Sequence, residues 1–119
     1  MSGNDVPEQA KWAIEFYEDA RGDVPARDFL RSLPSGEHAA ALRAFRLLRE
    51  FGTALGMPHA RPISGLWELR AGPGRFFYFA HTGRRFIVLH GYRKQSQKAP
   101  AREIETAKRR LQDFQEREA

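Results

Sequence analysis

The sequence predicts one α+β domain: an N-terminal strand and two helices packed on a twisted, mainly antiparallel sheet, closed by a C-terminal helix. Three observations predict it. Trp12, Ile14 and Phe16 alternate with Lys11, Ala13, Glu15 and Tyr17, the period-two pattern of a strand with one buried face. Apolar residues recur at helical spacing twice, at Ala41, Leu42, Phe45, Leu48 and Phe51 and again at Ile104, Ala107, Leu111 and Phe114. Between those two stripes, Leu66 to Arg70, Arg75 to Ala80 and Arg85 to Tyr92 are rich in aromatic and branched residues. Gly72-Pro73-Gly74 and His81-Thr82-Gly83 separate them as plausible hairpin connections, so the three read as an antiparallel meander.

The remaining elements follow in order. After the first strand, Gly22 and Pro25 punctuate the chain, and Pro25 suits the first turn of a short helix burying Phe29, Leu30 and Leu33. A second helix follows Ser35-Gly36 and stops at Gly52; both helices are expected to cover one face of the sheet. From Gly52 to Gly65, the residues Gly56, Pro58, Pro62 and Gly65 interrupt any period, and this stretch reads as a loop. The last helix begins near Pro100. It carries Glu103 and Glu105 early and Lys108, Arg109 and Arg110 later, as the helix dipole favours.

A chain of 119 residues has room for one hydrophobic core, so residues 1–119 read as a single domain with 1–9 expected to be flexible. Hydrophobic residues at 41% and charged residues at 29% give the balance of a folded protein rather than a disordered tail. Without cysteine, neither disulfides nor a thiolate metal site can form. Met1 to Gln9 lacks the pattern of a secretory signal, and no apolar stretch is long enough to span a bilayer. The expectation is a soluble, cytoplasmic protein with no membrane partner.

The net charge of +5 favours a polyanionic partner, and its distribution says more than its size. No acidic residue lies between Glu68 and Glu103, a stretch that holds Arg70, Arg75, Arg84, Arg85, Arg93, Lys94, Lys98 and Arg102. Other chemistries are poorly supported. His38, His59, His81 and His90 lack chelating spacing, so no metal and no other cofactor is expected. There is no Gly-x-Ser-x-Gly elbow, and Gly72-Pro73-Gly74 lacks the third glycine and following helix of a dinucleotide fingerprint.

Residues two apart on a strand share a face. Glu68 and Arg70 should therefore point together, as should Arg75, Phe77 and Phe79, and Phe86, Val88, His90 and Tyr92. After Tyr92 the chain leaves the strand as Arg93-Lys94-Gln95-Ser96-Gln97-Lys98, basic and without an acid. Arg84 and Arg85 read as ordinary solubilising residues. Arg70, Arg75, Arg93, Lys94 and Lys98 read as a cluster able to grip a phosphodiester.

These residues also carry a family likeness. Gly56-Met57-Pro58 through Pro62, Gly65-Leu66-Trp67-Glu68-Leu69-Arg70, Arg75-Phe76-Phe77-Tyr78-Phe79, Leu89-His90-Gly91-Tyr92-Arg93-Lys94, and Gln97-Lys98-Ala99-Pro100 with Glu103, Ile104 and Ala107 occur in that order. Together they resemble the HigB-like branch of the RelE/ParE toxin superfamily. The resemblance implies a RelE-like fold and a type II toxin neutralised by a small antitoxin, commonly a helix-turn-helix protein, with operator DNA bound only through the complex. It implies a metal-independent endoribonuclease that inhibits translation by cleaving mRNA, most often on the ribosome, through attack of the ribose 2′-hydroxyl.

Carried over residue by residue, the resemblance implies that Arg75 contacts the scissile phosphate and that Arg93 supports the transition state or leaving group. Arg70 and Glu68 match the preceding strand's polar positions, Glu68 as a possible general base. Lys94 and Lys98 match a lysine pair that holds RNA or ribosomal phosphates, with Gln97 beside them. Relatives that place a tyrosine or histidine beyond the last strand differ from this chain, where Gln97 to Pro100 offers neither. Tyr92, His90 and Glu68 remain candidates for proton transfer, with acid and base open. Tyr78 reads either as a half-buried strand aromatic or as a base-stacking RNA contact. Two other functions stay open: a non-enzymatic ParE-like inhibitor of DNA gyrase, and a degenerate protein that only binds RNA or its antitoxin.

Overall fold

A computed structural model describes residues 11–95 and 100–118. The expected flexibility of residues 1–9 and the candidate contacts Gln97 and Lys98 lie outside the described residues. In chain order the elements are β1 (Ala13–Phe16), α1 (Pro25–Ser32), α2 (Ser35–Phe51), a short 3-10 turn (Gly52–Ala54), β2 (Ala60–Ile63), β3 (Leu66–Ala71), β4 (Gly74–His81), β5 (Arg85–Arg93) and α3 (Ala101–Glu118). The α+β class, the N-terminal strand, the two following helices, the meander and the closing helix are as the sequence predicts.

Among the described residues the strands form one sheet in the order β1-β5-β4-β3-β2. β2 to β5 pair antiparallel through tight connections, and β1 joins the outer side of β5 in parallel. The parallel pair is possible because α1, α2 and the meander intervene between its partners, giving the chain length to return in the same direction. Helices α1 and α2 cover one face, where Leu30, Ala41, Phe45 and Leu48 meet Leu69, Phe76, Phe86 and Val88. Helix α3 covers part of the other face, where Ile104, Ala107, Leu111 and Phe114 meet Leu66, Phe77, Ile87 and Leu89. A sheet with apolar side chains on both faces explains why β3 to β5 read as near-continuous hydrophobic runs.

Local chemistry fixes the helix ends. Pro25 occupies the first turn of α1, where its missing N–H costs nothing. Gly52 ends α2 with φ of 57°, and a Cβ there would lie 2.3 Å from Nε1 of Trp12, whose ring stacks on Phe86 at 4.3 Å. No helix among the described residues is long and apolar enough to cross a membrane.

Two expectations need correction. Residues 60–63 are not loop but the edge strand β2, paired with β3 from Ala60↔Leu69 to Ile63↔Leu66. Pro62 conceals it in the sequence, yet an edge strand tolerates a residue that cannot donate outward. The second correction concerns β5. Phe77 pairs with His90 and Tyr78 with Val88, leaving Leu89 as an extra residue, a β-bulge. Phe86 and Val88 therefore face α1 and α2, whereas Tyr92 joins the α3-side cluster and His90 stacks with Phe77 and Tyr92. The single-face row expected for Phe86, Val88, His90 and Tyr92 is broken at the bulge.

Candidate functional site

On the α3 side of the sheet, alternation along β2, β3, β4 and β5 gathers the polar residues into two adjacent rows. Register places Arg61 opposite Glu68, Phe77 opposite both Glu68 and His90, and Arg75 opposite both Arg70 and Tyr92. At the centre Glu68 is only 1% exposed. Its Oε1 accepts from Arg61 Nε at 2.9 Å and lies 4.0 Å from Arg70 Nε, while its Oε2 accepts from the Tyr92 hydroxyl at 3.2 Å. A carboxylate this deep is tolerable only with such partners.

Arg75 is held from behind. Its Nη1 donates to the carbonyls of Gly72 at 2.6 Å and Gly74 at 2.9 Å, so the β3–β4 turn fixes the guanidinium before any ligand arrives. Burial lowers its pKa, with Glu68 opposing and Arg70 adding to that shift. The Nε atoms of Arg70 and Arg75 are buried and have no hydrogen-bond partner among the described residues. Two guanidiniums facing each other across neighbouring strands, each with an unused donor, form an oxyanion-binding arrangement. Burial and the adjacent Glu68 push the Tyr92 hydroxyl up to about 12, so it stays protonated at neutral pH.

The other predicted residues divide. Lys94 follows β5, and its backbone N–H donates to the Pro73 carbonyl at 2.8 Å, which sets it beside the turn that holds Arg75. Arg93 does not join the arginine pair: adjacent to Tyr92 on the strand, it faces the opposite side and pairs with Glu37 in the first turn of α2. Tyr78 is not available as a base-stacking contact, because it is 2% exposed in the α1–α2 core with its ring edge on Phe86. His90 does not offer a nitrogen to RNA either. Its Nδ1 accepts from Arg110 at 2.9 Å, which leaves the proton on Nε2, and Nε2 donates to Glu103 at 2.5 Å. His90 thus pins α3 to β5 beneath the site.

Three participants escape the sequence reading. Arg61 is hidden by the loop reading of its strand. Arg110 and Glu37 sit on helices and reach β5 only through the tertiary fold, and nothing in their local sequence marks them. Among the described residues there is no group of three or more metal-ligating side chains of the His, Cys, Asp or Glu type.

The His90 contacts set a pH dependence. Burial lowers its pKa below the ordinary 6.5, partly offset by the bond to Glu103. The unfolded chain therefore takes up this proton first, so the contribution of neutral His90 is present above about pH 6.5 and is lost as pH falls below it. Urea unfolding of the wild type should lose stability between pH 7.5 and 5.5 more steeply than His90→Gln. Parallel slopes for the two proteins would contradict this assignment.

Comparison with known proteins adds a family and a fold. Residues 28–112 match the family described as "Phage derived protein Gp49-like (DUF891)". No curated protein sequence matches the chain significantly. Among solved structures, a chain of the toxin–antitoxin complex RelBE2 from Mycobacterium tuberculosis is similar with a TM-score of 0.53 and 20% identity. That likeness covers 71% of this chain and all (100%) of that one. A chain of the archaeal RelE–RelB complex from Pyrococcus horikoshii OT3 gives a TM-score of 0.53 at 15% identity, covering 74% of this chain and 99% of that one. At these identities the likeness is one of fold.

Proposed function

From the premise that this chain belongs to the phage-derived Gp49-like family, we propose that it is the toxin of a type II toxin–antitoxin pair, of the HigB-like kind, and an endoribonuclease that cleaves translated mRNA. The observation that carries this reading is the Arg70–Arg75 pair, set opposite one another in register with Tyr92 on the next strand, all three in the stretch between Glu68 and Glu103 that holds no acid. The fold shared with chains of RelBE complexes supports it. The partners in this reading are a cognate antitoxin of the helix-turn-helix type, mRNA on the ribosome, and operator DNA only through the antitoxin complex. The protein acts in the cytoplasm and without a metal or cofactor.

The reaction this geometry favours is an internal transesterification. The ribose 2′-oxygen bonds to phosphorus, the bond from phosphorus to the 5′-oxygen breaks, and the products are a 2′,3′-cyclic phosphate and a 5′-hydroxyl. The 2′-hydroxyl gives its proton to solvent water, and the 5′-oxygen takes one from a protonated side chain that solvent then re-protonates. Negative charge grows on the non-bridging oxygens in the transition state, where Arg70 and Arg75 offer fixed donors that strengthen as that charge develops. Tyr92, protonated and opposite Arg75, is the proton donor closest to the pair in register. Glu68 is too deep to reach RNA and acts as a positioning residue for Arg61 and Tyr92, with no part as general base. Lys94 supplies a further phosphate contact; Gln97 and Lys98 belong to the same basic segment.

The test is primer extension on a defined message with and without translating ribosomes. Cuts that require ribosomes and vanish in Arg75→Ala support the full reading. Cuts on naked RNA keep the nuclease and remove ribosome dependence, and inhibition of gyrase supercoiling without any cut would replace the nuclease with a binding toxin. In the same assay Arg93→Ala should retain cleavage within about tenfold of wild type, since an exposed ion pair on the far face contributes little. A loss as deep as that of Arg75→Ala would place Arg93 in the chemistry.

A further inference from the structure

We propose that Arg61 provides a second phosphate subsite, so that single-stranded RNA lies across β2 to β4 and is held by two consecutive phosphodiesters. This rests on the RNA-cleaving reading and extends it by one nucleotide toward the sheet edge. The charge of the cluster is the first reason. Arg61, Arg70 and Arg75 surround the one carboxylate Glu68 and leave two positive charges, which one phosphodiester does not balance and two do.

The second reason is the distribution of donors. Arg61 spends its Nε on Glu68, and its two terminal nitrogens have no partner among the described residues. Among the described residues the Arg70 side chain makes no hydrogen bond, its Nε lying 4.0 Å from Glu68 Oε1, and the buried Nε of Arg75 has no partner. The third is span: β2 and β4 are separated by two strand spacings, about 10 Å, and Arg61 and Arg75 stand in adjacent rows, which lengthens the distance between them. Arg75 at one end and Arg61 at the other therefore suit successive phosphates of a flexible strand better than one phosphate or a rigid duplex. β2 is the outermost strand on that side, so the row ends open at Arg61.

NMR titrations with two uncleavable probes test this: a fully 2′-O-methylated dinucleotide with one phosphodiester and the corresponding trinucleotide with two. The variants are Arg61→Gln, which keeps an N–H for Glu68 while removing the charge, and Arg61→Lys, which restores the charge. Arg61→Gln should weaken the trinucleotide about tenfold and leave the dinucleotide within about twofold. It should also flatten the trinucleotide's dependence of log K on log salt by about 0.7, the increment for one phosphate on a single strand. Arg61→Lys should recover that slope. Equal weakening of both probes would mean that Arg61 acts only through Glu68, and unchanged binding of both would remove it from the site; either overturns the subsite alone. A wild-type protein that binds neither probe overturns the RNA reading itself and the subsite with it.

Discussion

Replacing Arg75 with alanine should slow RNA cleavage by about a hundredfold to a thousandfold, the loss seen when one fixed donor to a developing oxyanion is removed. The expected magnitude follows from how the side chain is held. Two backbone carbonyls of the β3–β4 turn bind Nη1, so the guanidinium need not be ordered when RNA arrives, and its buried Nε lacks a competing partner among the described residues. Donors that are fixed in place and partly screened from water stabilise a transition state far more than mobile surface cations do. Arg75→Lys should recover little, because an ammonium cannot bind both carbonyls and present a second planar donor. Single-turnover rates on saturating RNA measure the effect on the chemical step, and melting curves establish that the variant is folded. A folded Arg75→Ala protein that cleaves within threefold of wild type would show that this row is not where the chemistry occurs.

Much of the framework behind that prediction is legible in the sequence because it depends on short-range periodicity. The α2 and α3 stripes, the proline that opens α1, and the glycine-marked turns of the meander each announce themselves within a few residues. Arg70 and Arg75 are likewise legible, since a hairpin between them makes register neighbours of residues five apart. What escapes is whatever depends on sheet edges and irregular register. Arg61 is obscured because Pro62 and the surrounding glycines mask a four-residue strand that needs β3 to complete it. The bulge at Leu89 has no local mark, yet it moves His90 and Tyr92 to the α3 side, which both supplies the site with Tyr92 and buries the His90 nitrogens against α3. Strict alternation carries Arg93 away from the pair for the same reason that it carries Tyr92 towards it. A family likeness cannot correct for that, because it aligns residues along the chain and says nothing about which face a side chain takes.

The largest expected effect on stability lies one residue from Arg75. Phe76 is fully buried where three elements converge: its ring meets Phe29 of α1 at 5.6 Å and Phe45 of α2 at 4.9 Å, and Gly91 of β5 lies directly opposite. Phe76→Ala removes the ring from the centre of this contact and should cost about 3–5 kcal/mol. The opposite error is available at Gly91, where an added Cβ would lie 2.6 Å from Phe29 Cδ2 and 2.9 Å from Phe76 Cε1. Phe76 is fully buried and Phe29 partly so, and both must shift to admit the methyl, so Gly91→Ala should cost about 1–3 kcal/mol by overpacking. The two losses should not add. Truncating Phe76 makes room for the Gly91 methyl, and the double variant should be more stable than the sum of the single losses by about 1 kcal/mol. Urea unfolding of the four proteins measures this cycle. Strict additivity would mean that the Gly91 methyl is accommodated by α1 moving away from the sheet, and in that event β5 would keep its place and Gly91→Ala would leave the Arg75–Tyr92 register, and with it RNA cleavage, intact.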